Sequence, residues 1–90
     1  MEHRVALLGL VVENQDSVEQ LNRLLHQYKD YIVGRMGIPY RARGVNIISI
    51  VLDAPGDAIS TLAGKAGMLS GVTAKAVYSK LPEPTHESAD

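Results

Sequence analysis

The sequence predicts a single α+β domain with the element order strand, helix, strand, strand, helix, strand. Residues 4–12 and 45–52 are rich in aliphatic residues at both alternating positions, as in strands at the centre of a sheet. Two further segments repeat apolar residues at helical spacing. This order is the split βαβ arrangement of ferredoxin-like domains, a two-layer sandwich with an antiparallel four-stranded sheet and two helices on one face. The ninety residues contain no Cys, which excludes disulfides and Cys-based zinc sites.

The first strand is predicted over residues 4–12. Its apolar run of eight residues is too short to span a membrane and lacks a small-residue cleavage site after it, so we interpret it as a strand and not as a secretion signal. A cytoplasmic location fits the absence of Cys and is the location we expect. Its two faces are both apolar, with Val5, Leu7, Gly9 and Val11 on one and Ala6, Leu8, Leu10 and Val12 on the other.

The first helix is predicted to follow Asn14, with Asp16 as its N-cap and Glu19 completing a capping-box pattern. An apolar stripe at helical spacing should cover one face of the sheet. It consists of Val18, Leu21, Leu24, Leu25 and Tyr28.

A β-hairpin over residues 32–52 supplies the next two strands. Its first arm, residues 32–41, contains Pro39, which cannot donate a ladder hydrogen bond and therefore favours a sheet edge. Gly44 can adopt a positive φ in the short connection before the second arm.

The second helix is predicted to begin near Pro55, whose fixed φ suits a first helical turn, and to end at Gly67. Residues 72–78 form a last, less apolar strand at the other edge. The domain thus spans residues 1–80, and residues 81–90 have the composition of a disordered tail.

One face of the predicted sheet has no cover within the chain. Two helices can cover only one face, whereas both central strands are apolar on both faces. An apolar surface of that size in water is an association site. We therefore expect a homo-oligomer, a dimer or a tetramer.

Three arginines of the hairpin are candidate binding residues. Alternation from Ile32 predicts Arg35 and Arg41 on the helix-free face, with Arg43 nearby. Guanidinium groups there could pair with carboxylates of a second subunit, hold a carboxylate or phosphate ligand, or simply be solvated at a sheet edge.

A glycine-rich segment provides a second candidate. Gly64, Lys65 and Gly67 formally match the GxxG of a KH domain and part of a phosphate loop, but a P-loop requires Ser or Thr after its Lys, and Ala66 stands there. We favour a structural interpretation, in which Gly64 permits close helix packing and Gly67 ends the helix. A small anionic ligand near Lys65 is the alternative.

Several function classes are disfavoured. The net charge is −1, and the chain has no Phe or Trp on which RNA bases would stack, so no direct nucleic-acid binding is expected. The three histidines are not spaced as metal ligands, and we expect no cofactor or metal. The loop after the first strand lacks the Arg of acyl-phosphate hydrolases, so catalysis is not expected, nor is binding to membranes.

Three segments together resemble a known family. They are residues 34–39 with an Arg-x-Gly-x-Pro motif, residues 46–52, and residues 58–72 with a Gly-Lys-x-Gly…Gly-Val motif. They resemble the iron-only hydrogenase system regulators, stand-alone ACT-like domains related in fold to the C-terminal domain of nickel-responsive repressors. The resemblance covers about residues 4–80. It implies a βαββαβ fold, oligomerisation and a regulatory role beside hydrogenase maturation.

The leading hypothesis is a non-catalytic, homo-oligomeric ACT-like regulatory domain that senses a small-molecule effector or docks on a protein partner. ACT domains often place a glycine in the loop between the first strand and the first helix, where this chain has Glu-Asn-Gln-Asp over residues 13–16. The nickel ligands of the repressors are also missing. The alternatives are a small enzyme acting on a phosphorylated or acidic metabolite and a purely structural oligomer.

Overall fold

The computed structural model describes residues 2–80, which form one four-stranded antiparallel sheet and two α-helices. The strand order is β2-β3-β1-β4, with β1 and β3 in the centre, so the predicted ferredoxin-like, ACT-like fold class and the two predicted edges are confirmed. The predicted disordered tail, residues 81–90, lies outside the described residues. The elements are β1 His3–Val12, α1 Val18–His26, β2 Ile32–Tyr40, β3 Val45–Pro55, α2 Gly56–Gly67 and β4 Val72–Tyr78.

The hydrophobic core lies between the sheet and the two helices. Alternate residues of β1 and β3 point into it, and they meet the apolar stripe predicted for the first helix and the buried side of the second. Ser17 is the one buried polar residue of the described chain, and its hydroxyl donates to the Ser70 carbonyl oxygen at 2.6 Å. The core residues are Ala6, Leu8, Leu10, Val12, Leu21, Leu25, Ile48, Ile50, Leu52, Ala54, Ile59, Leu62, Ala66 and Val72.

The start of α1 differs from the prediction, whereas α2 begins next to Pro55, as predicted. A 3-10 turn, Gln15–Ser17, precedes α1, and the side-chain oxygen of Asn14 caps it by accepting the Asp16 N–H at 3.0 Å. The predicted N-cap Asp16 is therefore wrong, since the cap lies two residues earlier. Strand β3 continues to Pro55, which occupies the cap position of α2 with ψ 143°, so the helix begins one residue later, at Gly56.

A β-bulge in β2 reverses the predicted orientation of that strand. The pairing with β3 shifts between Ile32 and Gly34, and from there Arg35 lies opposite the buried Ile50. Residues paired across two strands share a face of the sheet, so Arg35 lies on the helix side. The prediction that it lies on the helix-free face is wrong, because one extra residue in a strand moves every following side chain to the other face.

No helix within residues 2–80 is long and apolar enough to cross a membrane.

Candidate functional site

The helix-free side of the sheet, called the open face here, carries nine of the eleven large apolar side chains that are exposed among the described residues. These nine side chains are between 37% and 64% exposed, and they come from all four strands. The charged members are Asp53 and Lys75. Nine such side chains leave several hundred Å² of apolar surface in water, the range of functional patches. The apolar residues are Val5, Leu7, Val11, Met36, Ile38, Tyr40, Ile47, Val51 and Val77.

Three loops meet at one end of the sheet, called the loop end here: residues 13–17, 41–44 and 68–71. The register places them together, because Val12 lies opposite both Asn46 of β3 and Val72 of β4. The Glu13 N–H donates to the Gly71 carbonyl at 2.7 Å, and Asn14 Nδ2 donates to Ser70 Oγ at 3.1 Å. These bonds fix the first loop against the third.

Gly71 is essential to this contact. Its φ is +70°, and a Cβ added to it would lie 2.7 Å from Asn14 Cβ and 2.9 Å from Asn14 N. Only a residue without a side chain allows the two backbones to approach so closely.

A groove of about 380 Å³, called the hairpin groove here, opens between the first and second loops. Asn46 Nδ2 donates to Gln15 Oε1 at 3.2 Å and connects the start of β3 to the first loop. Arg41 is the one charged residue of its lining, and among residues 2–80 no carboxylate pairs with it. The groove therefore presents an exposed guanidinium beside two amide side chains, a combination that suits a carboxylate or phosphate. Its lining is Gln15, Pro39, Tyr40, Arg41, Gly44, Val45 and Asn46.

Of the predicted arginines, the structure brings two together and separates the third. Arg41 and Arg43 share the 3-10 turn Arg41–Arg43. Arg41 therefore follows β2, whereas the prediction placed it within the first arm of the hairpin. Gly44 follows with φ +68°, as predicted. Arg35 lies away from that turn and donates to Asn22 Oδ1 of α1 at 2.7 Å.

The glycine-rich candidates lie on α2 and do not form a loop. Gly67 ends the helix, as predicted, and Lys65 lies exposed in its last turn. A Cβ on Gly64 would meet nothing within 4 Å, so the expectation that Gly64 permits close helix packing is wrong. A GxxG loop requires a turn between two elements, whereas these glycines are separated by helical backbone.

Sequence reasoning missed Gln15, Tyr40 and Asn46. They come from three separate segments, and only the pairing of β3 with β1 brings Asn46 beside the first loop. The ferredoxin-like order contains that information, because it makes β1 and β3 neighbours. Within the part of the chain that the structure describes, no three His, Asp or Glu residues come together as a metal site would require.

Comparison with known proteins gives a family and several similar solved structures. A family model, TM1266-like, described as "Iron-only hydrogenase system regulator, putative", matches residues 4–76. The uncharacterized protein TM1266 from Thermotoga maritima is 39% identical with a TM-score of 0.84, covering 88% of this chain and all of that one. A formyltetrahydrofolate deformylase from Pseudomonas putida KT2440 is 15% identical with a TM-score of 0.59; the match covers 81% of this chain and 28% of that one, and shows the fold alone. No curated protein matches the chain.

Proposed function

Because the chain belongs to the TM1266-like family of iron-only hydrogenase system regulators, we propose that it is a non-catalytic regulatory domain that self-associates through the open face and binds a small anionic effector in the hairpin groove. The observation that carries the proposal is the position of Tyr40. Its side chain is half exposed on the open face, and it also lines the hairpin groove. A ligand in the groove and a second subunit on the face would therefore both contact it.

Self-association is supported by the composition of the open face. Its apolar side chains form one contiguous surface across four strands, interrupted by few charges. A standard protein interface buries about 800 Å² per partner, with an apolar centre depleted of charge. The open face has that character, and a second copy of the same face is a partner of matching chemistry.

Effector binding is supported by the hairpin groove. Arg41 provides a permanent positive charge, and Gln15 and Asn46 provide amide groups that orient an acid. The groove volume is within the usual range for small-molecule sites. A carboxylate or phosphate metabolite is therefore the expected ligand class, and a change in its concentration would be transmitted through Tyr40 to the assembly. The same oligomer, rather than direct contact with nucleic acid, would act on a protein partner in the cytoplasm.

Sedimentation analysis tests the association. The wild-type protein should sediment as a dimer or tetramer at micromolar concentration, and Ile47→Lys should sediment as a monomer because it buries a charge in the interface. Met68→Lys is the matched control: Met68 is 85% exposed but lies in the loop after α2, away from the open face. A monomeric wild type, or equal effects of both variants, would contradict the proposal.

Thermal-shift screening with carboxylates and phosphate esters tests the groove. A hit should stabilise the wild type, lose its effect in Arg41→Gln, and keep it in Arg23→Gln, an exposed arginine on the outer face of α1. Turnover of a phosphate ester that Arg41→Gln abolishes would instead indicate an enzyme. Dissociation or tightening of the oligomer on adding the hit would connect binding to regulation, and an unchanged oligomer would argue against transmission through Tyr40.

A further inference from the structure

A second groove lies at the end of the sheet opposite the loop end. It has a volume of about 380 Å³ and runs between the turn that precedes β2 and the first turns of α2. It is called the tyrosine groove here, and it shares no lining residue with the hairpin groove. Its lining is Tyr28, Tyr31, Pro55, Asp57, Ala58 and Thr61.

The two tyrosines are held in place on the groove wall. The Tyr31 N–H donates to the Tyr28 carbonyl at 2.9 Å, which closes the tight turn that carries both rings. Both rings are half-buried against the core. The His3 ring packs edge-on against Tyr31 with 6.0 Å between centroids, and His3 Nδ1 lies 3.1 Å from Asp53 Oδ1. Tyr31 is thus held by a backbone hydrogen bond and a ring contact, and Tyr28 by packing against the core.

The Asp57 carboxylate and the two tyrosine hydroxyls of this groove have no partner among the described residues. No Lys, Arg or His within residues 2–80 pairs with Asp57, and neither tyrosine hydroxyl makes a hydrogen bond there. Asp57 is the one charged residue of the lining. Asp57 and the two tyrosines line the same groove. A carboxylate attracts a cation by its charge, and aromatic rings attract one by their negative faces.

We propose that the tyrosine groove is a binding site for a small organic cation, an alkylammonium or alkylguanidinium compound. The cationic group would be held by the Asp57 carboxylate and a tyrosine ring, with Thr61 able to accept one hydrogen bond. The alkyl stem would pack on Pro55 and Ala58. The volume suits a short aliphatic amine. This inference does not depend on the hairpin groove or on the oligomeric state.

Amide NMR titration of the full chain tests it, with butylammonium, butylguanidinium and uncharged butanol as probes at constant ionic strength. The two cations should give saturable shifts confined to residues 28–31 and 55–61, whereas butanol should bind at least about tenfold more weakly because it forms no charge-assisted bond. Shifts of equal size with butanol, or shifts spread over other acidic surfaces, would overturn the proposal.

Two variants and a control complete the test. Asp57→Asn should weaken butylammonium binding by about tenfold or more, and Tyr31→Leu should weaken it while keeping an apolar side chain at the core. Asp30→Asn makes the same charge change beside Tyr31, outside the groove lining, and should leave binding unchanged. Equal loss in Asp57→Asn and Asp30→Asn would show only general attraction by negative charge and would refute a built site.

Discussion

Substitution of the two positive-φ glycines by alanine separates backbone strain from steric contact. Gly71 and Gly44 have nearly the same φ, +70° and +68°, so a side chain costs about 1–2 kcal/mol at either position from conformation alone. Their surroundings differ completely. A Cβ at Gly44 would meet nothing within 4 Å, whereas a Cβ at Gly71 would lie 2.9 Å from the backbone nitrogen of Asn14.

Gly71→Ala should therefore cost more than Gly44→Ala. The 2.9 Å contact involves backbone, so residues 13–17 must move, and the 2.7 Å bond from the Glu13 N–H to the Gly71 carbonyl would weaken. Adding the loss of one hydrogen bond to the conformational cost lowers the free energy of unfolding by about 2–4 kcal/mol. Gly44→Ala should lower it by about 1–2 kcal/mol.

Urea denaturation at one fixed protein concentration measures both effects, because association would otherwise contribute to stability. Gly64→Ala provides the opposite control. Gly64 lies in α2 with open space around it, so alanine there should raise the free energy of unfolding by about 0.5–1 kcal/mol. Equal destabilisation by Gly71→Ala and Gly44→Ala would refute the close approach of residue 71 to Asn14.

Three further predictions concern the core, the cap and β2. Leu62→Ala should lower the free energy of unfolding by about 2–5 kcal/mol in urea, because the side chain is fully buried. Asn14→Ala should lower it by about 0.5–2 kcal/mol and Asp16→Ala by clearly less, because the Asn14 side chain makes the capping bond. Arg35→Gln should change it by less than about 1 kcal/mol and leave sedimentation unchanged, because its bond to Asn22 is exposed and on the helix side; dissociation of the oligomer would contradict this orientation.

The elements and the sheet order could be predicted because each follows from local patterns. Alternation in residues 5–12 and helical spacing in α1 and α2 determine which side chains can share a face. Pro39 predicted that β2 is an edge strand, and Gly44 predicted the turn after it. The cap position was harder to predict, because Asn14 and Asp16 are both residue types that favour caps. Asn14 makes the capping bond, and its side chain also contacts Ser70, which is distant in sequence.

The hairpin groove could not be predicted from local patterns. Its lining combines residue 15 with residues 39–46, and these meet only through the register of three strands. Arg41 was identified by its charge and by strand alternation, which placed it on the wrong element, and its uncharged neighbours Gln15 and Asn46 carry no signal of their own. These polar residues belong to the groove because strand pairing brings them together in the folded chain. A periodic pattern along the sequence does not predict that pairing.

The bulge in β2 changes what the open face can do. Gly34 was its available signal, since an isolated glycine inside a strand often marks a bulge. Without the bulge, Arg35 would project from the open face and its charge would need a partner in any interface there. With it, Met36 and Ile38 occupy that face and Arg35 bonds to Asn22 on the other side. Because of one extra residue, β2 presents Gly34, Met36, Ile38 and Tyr40 on the open face instead of an arginine. This apolar character is what the proposed interface requires, and Arg41, which follows the strand, is the charge that the proposed ligand would contact.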